Sequence, residues 1–212
     1  MERTRPGRKA AKVQLRRTAG NGGLALSANG SGVTRKLTVR PDGLDFRDKM
    51  YVPTLVEVPT TRELGTYLKA KVPILDQGQE GACTGFGLAT VAHTLLRTRR
   101  HVPSETRVSP LMLYDMARRY DEWGGEDYEG SSCRGAMKGW FKHGVCNETL
   151  WVRSGTPPQV LSEPVEADAA NRPLGAYYRV NHKDLIAMHA AIAEVGVLYA
   201  SATVHAGWEK VK

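Results

Sequence analysis

Three stretches of this chain carry apolar and small residues at helical spacing, and a different pattern follows them. From Cys83 to about Arg100, Phe86, Thr90, Val91, Thr94 and Leu95 recur every three to four positions, with Gly85, Gly87 and Ala89 leaving room for a close neighbour. A second helix is predicted from Ser109-Pro110, a cap followed by proline at the first helical position, with Leu113, Met116, Ala117 and Tyr120 on one face. A third follows Ser131-Ser132, carries Ala136, Met137, Trp140 and Phe141, and stops at Gly144. Beyond it the character changes. Residues 174–180 alternate weakly like a strand, and Asn181 is placed to cap a helix from His182 to Val195. Residues 197–205 are β-branched and alternating, hence a strand. Helices first and then strand–helix–strand predict an α+β chain, with a helical lobe followed by the start of a β-rich lobe.

The region before the first helix reads differently. Pro41, Pro53 and Pro59 forbid a long helix over 32–60, and Asp42-Gly43 marks a turn, so this is an extended wrapping segment. Residues 1–31 are rich in Gly, Ala and Arg with few large apolar groups. They cannot bury enough surface to offset their ordering entropy, and a disordered tail is expected. No internal repeat is present.

Charge sharpens that division. The chain of 212 residues has a formal net charge of +8, but residues 1–40 hold ten Lys or Arg against the single acid Glu2. Residues 41–212 hold 20 basic and 21 acidic residues, so the globular part is neutral and the basicity belongs to the tail. A solvated start is the plain reading of such a block. A polybasic arm holding phosphates or acidic proteins, and an Arg-rich transit peptide, are the alternatives. No apolar run follows the charges as a secretory signal requires, and no run of eighteen apolar residues spans a membrane. Three cysteines, Cys83, Cys133 and Cys146, suit reduced thiols in the cytoplasm better than a disulfide framework. Cys133, Cys146 and His143 lack a fourth ligand and any C-x₂-C pair, so they read as structural residues rather than metal ligands. His182 and His189 read as surface or packing residues on one helix face, and His93 and His101 have no nameable partner. The acidic run 121–129 reads as a solvated loop whose carboxylates bias substrate charge if it reaches a binding cleft.

The chemically informative stretch is Gln77-Gly-Gln-Glu-Gly-Ala-Cys83-Thr-Gly-Phe86. Cys83 follows a glycine loop, opens a helix and has an amide donor six residues before it. A helix N-terminus carries about half a positive charge, which favours an anion placed there, and its first N–H groups have no intrahelical partner. Those donors, with Gln77, can hold an oxyanion; one such donor is worth a factor of about 10²–10³ in rate.

Gln77-Gly78-x-x-Gly81-x-Cys83-x-x-Phe86 resembles the active-site segment of the papain-like (cathepsin-like) cysteine peptidases, and the flanking 72–76 and 89–92 fit the bacterial branch. The resemblance covers about residues 45–205 and is specific around Cys83. It implies a papain-like two-lobe fold over 61–212, peptide-bond hydrolysis with Cys83 as nucleophile and Gln77 as oxyanion donor, a peptide or protein substrate, and no cofactor or metal. Residues 129–132, leading into a helix that ends His143-Gly144-Val145, resemble the wall of the non-primed cleft. By that likeness Gly130 and Ser131 line the cleft and pair with substrate backbone. The pattern departs at Glu80, where many secreted members have a cysteine, and at Thr84, where they have a tryptophan. No long helical propeptide is legible in the first 60 residues, so nothing predicts autoinhibition by a family-type pro-region.

The family's histidine and asparagine lie ~130–150 residues after the cysteine, whereas only 129 residues follow Cys83, the last being Lys212. His205, followed by Ala206-Gly207-Trp208, does not match the family's histidine segment. The sequence therefore reads as a C-terminally incomplete peptidase, helical lobe complete and β-rich lobe only begun, weak or inactive as it stands. Two rivals remain: a non-catalytic relative that binds peptides in the cleft, and a nucleic-acid-associated protein working through its basic tail.

Overall fold

The structure, a computed structural model, describes residues 16–17, 24–27, 34–43, 45–54, 57–123, 128–151 and 160–203. Its elements are β1 (Arg16–Arg17), β2 (Leu24–Ser27), β3 (Thr34–Leu37), α1 (Gly65–Lys69), α2 (Cys83–Arg97), α3 (Pro110–Tyr120), α4 (Cys133–His143), α5 (Glu163–Ala170) and α6 (Leu185–Val195). The strands form one antiparallel sheet in the order β1-β2-β3, with Ala25 opposite Lys36 and Arg16 opposite Ala25. Two of these strands fall within the stretch expected as a disordered tail, most of whose other residues lie outside the described ones.

Helices α2, α3 and α4 make the core. Ser109 caps α3 by accepting from the Met112 amide at 3.0 Å, and Ser132 caps α4 by accepting from Gly135 at 2.9 Å, as the sequence predicts. The buried stripe of α2 differs from the expected one. Leu88, Ala89, Ala92 and Leu96 are buried, Phe86, Val91 and Leu95 are half-buried, and Thr90 is exposed. The reason is Gly85: a Cβ there would stand 2.3 Å from the Pro110 carbonyl, so α3 packs against the glycine side of α2. Gly139 does the same for α3 and α4, where a Cβ would meet Met116 at 2.6 Å. Leu88, Leu113, Ala117, Ala136, Trp140 and Val145 fill the space between the three helices, each large side chain contributing roughly 1.5–3 kcal/mol by leaving water. Phe141, expected on the packed face of α4, is exposed.

Three other expectations are corrected. Helix α6 begins at Leu185, not His182, because the Asn181 side chain accepts from the Lys183 amide in a turn, while Asp184 accepts from Ala187 at 3.0 Å and becomes the cap. His182 therefore precedes the helix that carries His189. Residues 174–180 and 197–203 form no strand among the described residues, and 204–205 lie outside them. Alternation prepares a segment for a sheet, but pairing needs a partner, and Arg179 finds only one parallel bridge, to Met50. The described part is thus mostly helical with few strands, and α1 and α5 are helices the periodicity did not announce.

Asp42, Gly43 and Asp48 of the extended segment are clamped to α4 by Arg134. Arg134, with a side chain 4% exposed, pairs with Asp48 and Glu122 and donates to the Gly43 carbonyl at 2.6 Å. Its backbone amide donates to Asp42 at 3.1 Å. Asp48 also receives Arg179 at 3.0 Å, and Tyr51 N donates to the Arg179 carbonyl at 2.9 Å.

Candidate active site

Cys83 is the first residue of α2, and Ala82 before it offers no side-chain cap. The backbone donors of that first turn are therefore left for other acceptors. The half-buried Cys83 lines a cavity of about 360 Å³ together with Val39, Thr84, Gly87, Cys133 and residues 197–202. One wall is α2, the second is the start of α4, and the third is the extended chain after α6.

Thr84 and Tyr199 hold these walls together. The Thr84 hydroxyl hydrogen-bonds with that of Ser131, joining α2 to the loop before α4. The Tyr199 hydroxyl donates to the Thr84 carbonyl at 2.8 Å. Tyr199 and Ser201 also hydrogen-bond with Cys133, but burial is the largest influence on that thiol and pushes its pKa up. Burial likewise raises the Tyr199 hydroxyl, which stays protonated.

Gln77 sits in the turn that precedes α2. Its side-chain nitrogen donates to the Glu80 carbonyl at 2.9 Å, and Gly78, with φ +62, closes the turn with its amide on Asp76 at 2.9 Å. Gln77 is half-buried and is not among the residues that line the Cys83 cavity. Gly130 and Ser131 lie beside α2. Gly130 has φ +138, and its amide donates to the Tyr114 hydroxyl at 3.1 Å. The backbone of this loop faces the chain's own segment: Arg40 N approaches the Ser131 carbonyl at 3.4 Å, and Arg40 bridges Ser132 in parallel. Tyr128 donates its hydroxyl to the Thr38 carbonyl, and the Thr38 hydroxyl donates to the Gly81 carbonyl at 2.9 Å. The extended segment thus lies across Gly81 and the 128–132 loop, with Val39 at the cavity. Proline spacing foretold its extended form, but nothing in the sequence foretold where it docks, nor that Tyr199 would face Cys133.

Among the described residues no histidine lines this cavity. His93 is fully buried ten residues along α2, accepts from the Val108 amide at 2.9 Å, and is held neutral by burial, its pKa lowered to about 4. His143 bonds Tyr120 at 2.6 Å, and His205 lies outside the described residues. Among the described residues no group of three or more His, Cys, Asp or Glu is placed to hold a metal ion, and no helix is long and apolar enough to cross a membrane.

No known protein-family profile matches the chain, and no curated protein matches it. Among solved structures its fold is similar to that of a cysteine protease, the class that the residues around Cys83 resemble. That structure is xylellain from Xylella fastidiosa, 25% identical, with a TM-score of 0.56 over 74% of this chain. The match spans 62% of xylellain's own chain.

Proposed function

We propose that this chain belongs to a papain-like cysteine peptidase, with Cys83 as the nucleophile that attacks a peptide carbonyl. The observation that carries the reading is the position of Cys83, first residue of an uncapped helix and wall of a 360 Å³ cavity, in a fold similar to a cysteine protease. The sulfur forms a thioester with the acyl part of the substrate, and the amine leaves with a proton from a general acid. The oxyanion is held by the first-turn N–H groups of α2 and by Gln77, once its amide turns from Glu80 towards the sulfur. Gly130 and Ser131 pair with substrate backbone after residues 38–40 leave them. The extended chain after α6 opens the β-rich lobe, which in this fold supplies the histidine. Three free thiols suit a reducing compartment such as the cytoplasm.

A second reading has its own support. The groove beside Cys83 already holds an extended segment, and no histidine is at hand among the described residues, so the fold would also serve as a peptide-binding relative without turnover. A thiol-directed peptidyl electrophile separates a formed nucleophile site from a merely accessible cysteine. Labelling of Cys83 at least ~10-fold faster than of Cys133, and lost in Cys83→Ala, is expected; equal rates overturn the nucleophile assignment.

A further inference from the structure

Arg40 occupies a corner built from two aromatic rings. Its guanidinium lies 3.7 Å from the Tyr128 ring centroid and 4.9 Å from that of Trp123, and the two rings meet edge to face at 6.4 Å and 70°. A planar cation over two aromatic faces gains from the ring quadrupoles, most when partly desolvated, and Arg stacks there better than Lys. Here Tyr128 is buried and Arg40 and Trp123 are half-buried. The sequence around the rings, 121–129, carries five carboxylates and no Lys or Arg.

The place of this corner in the groove gives it meaning. Thr38, Val39 and Arg40 are consecutive. Thr38 touches Gly81 and Tyr128, Val39 lines the Cys83 cavity, and Arg40 enters the aromatic corner. An extended chain advances about 3.3 Å per residue, so the corner lies one residue beyond the cavity. Any extended peptide that replaces 38–40 presents neighbouring side chains to the cavity and to the corner.

We propose that the Trp123–Tyr128 corner is a specificity subsite for a basic side chain, arginine above all, of an extended peptide whose neighbouring residue fills the cavity beside Cys83. Arg40 is the resident stand-in for that side chain. The proposal rests on the reading of Cys83 as a nucleophile facing a peptide groove.

The test uses the full chain carrying Arg40→Ala, which vacates the corner, or Arg40→Gln should Arg40→Ala lower the thermal midpoint. Peptidyl acyloxymethyl ketones of the form X-Val-Gly are compared, running opposite in direction to residues 38–40 so that Val replaces Val39 and X replaces Arg40, with X as arginine, its uncharged isostere citrulline, or glutamate. Cys83 labelling is followed by mass spectrometry. The arginine probe is expected to label about ten-fold faster than citrulline, with glutamate slowest, and adding Trp123→Ala should shrink the difference to about two-fold. The same peptides as amides, titrated calorimetrically into the Cys83→Ala, Arg40→Ala chain, should show the same order of affinity without thiol chemistry. Equal behaviour of arginine and citrulline in both assays, with Cys83 still labelled ahead of Cys133, overturns the subsite and leaves the nucleophile assignment standing. If no probe labels Cys83 ahead of Cys133 while arginine still binds more tightly than citrulline, the nucleophile assignment falls and the corner survives as a binding site.

Discussion

Arg134 grips both carboxylate oxygens of Asp48, from Nε at 3.1 Å and from Nη2 on the other oxygen, in a site where its side chain is 4% exposed. This pair fastens the extended segment to α4 just after that segment has passed the Cys83 cavity. Burial works against ionisation of Asp48, yet the Arg134 and Arg179 guanidiniums outweigh it and hold the carboxyl below its ordinary range.

Arg134→Met should therefore cost about 3–5 kcal/mol, because it leaves the mostly buried Asp48 without its bidentate partner. Arg134→Met with Asp48→Leu should recover part of that loss, since the charges it leaves, Arg179 and Glu122, reach solvent whereas a lone Asp48 does not. Urea unfolding of both variants checks the order. The same weakening should free residues 38–43 and speed alkylation of Cys83, with Cys146 as the internal control.

Gly85→Ala tests the packing that sets the direction of α2. The new methyl would stand 2.3 Å from the Pro110 carbonyl and 2.7 Å from the Tyr114 Cβ, both on α3. Overpacking of this kind costs about 1–3 kcal/mol, and here one contact is backbone, so the upper end is expected. A thermal midpoint unchanged in Gly85→Ala would show that α3 can shift away.

What the sequence disclosed and what it withheld divide along physical lines. The starts of α3 and α4 were legible because Ser109 and Ser132 cap them through local hydrogen bonds. The start of α2 at Cys83 was legible because the glycine loop and the helix it precedes are adjacent in sequence. The buried face of α2 was misjudged because periodicity weighs side-chain size, whereas helix approach here is decided by the absence of one at Gly85. The docking of Thr38 on Gly81 and the Tyr199 contact with Thr84 span 43 and 115 positions, and no local pattern encodes such distances. Strands at 174–180 and 197–205 were expected from alternation alone, a signal that says nothing of whether a partner strand is present.

The three thiols should react in a fixed order. Cys146 is fully buried and its pKa is pushed up to about 11 by burial, ahead of the Asp168 carboxylate. Cys133 is half-buried, and burial raises it too. With iodoacetamide at pH 7.5, Cys83 should be modified first, Cys133 more slowly, and Cys146 only in denaturant. Peptide mapping of a time course reads this directly, and early modification of Cys146 would mean that the chain after α4 opens away from Met112 of α3 in solution.

Stability should depend on pH through His93. The imidazole is fully buried in α2, its Nε2 accepts from the Val108 amide, and its Nδ1 has no partner. Burial, then the Arg97 and Arg107 charges, lowers its pKa from 6.5 to about 4, with Glu148 opposing. Between those values the unfolded chain binds a proton that the folded chain refuses. The contribution is therefore complete above about 6.5 and is lost as pH falls towards about 4, at a rate near 1.4 kcal/mol per pH unit. Depressed carboxylates such as Asp48 and Asp168 add losses in acid, so the measurement must be a difference between variants. His93→Gln keeps an acceptor for Val108 and removes the titration. Urea midpoints measured from pH 7 to pH 4.5 should fall more steeply for the parent chain than for His93→Gln, the curves converging as the pH drops. Parallel curves would mean that His93 takes its proton in the folded state, contrary to its burial against Val108.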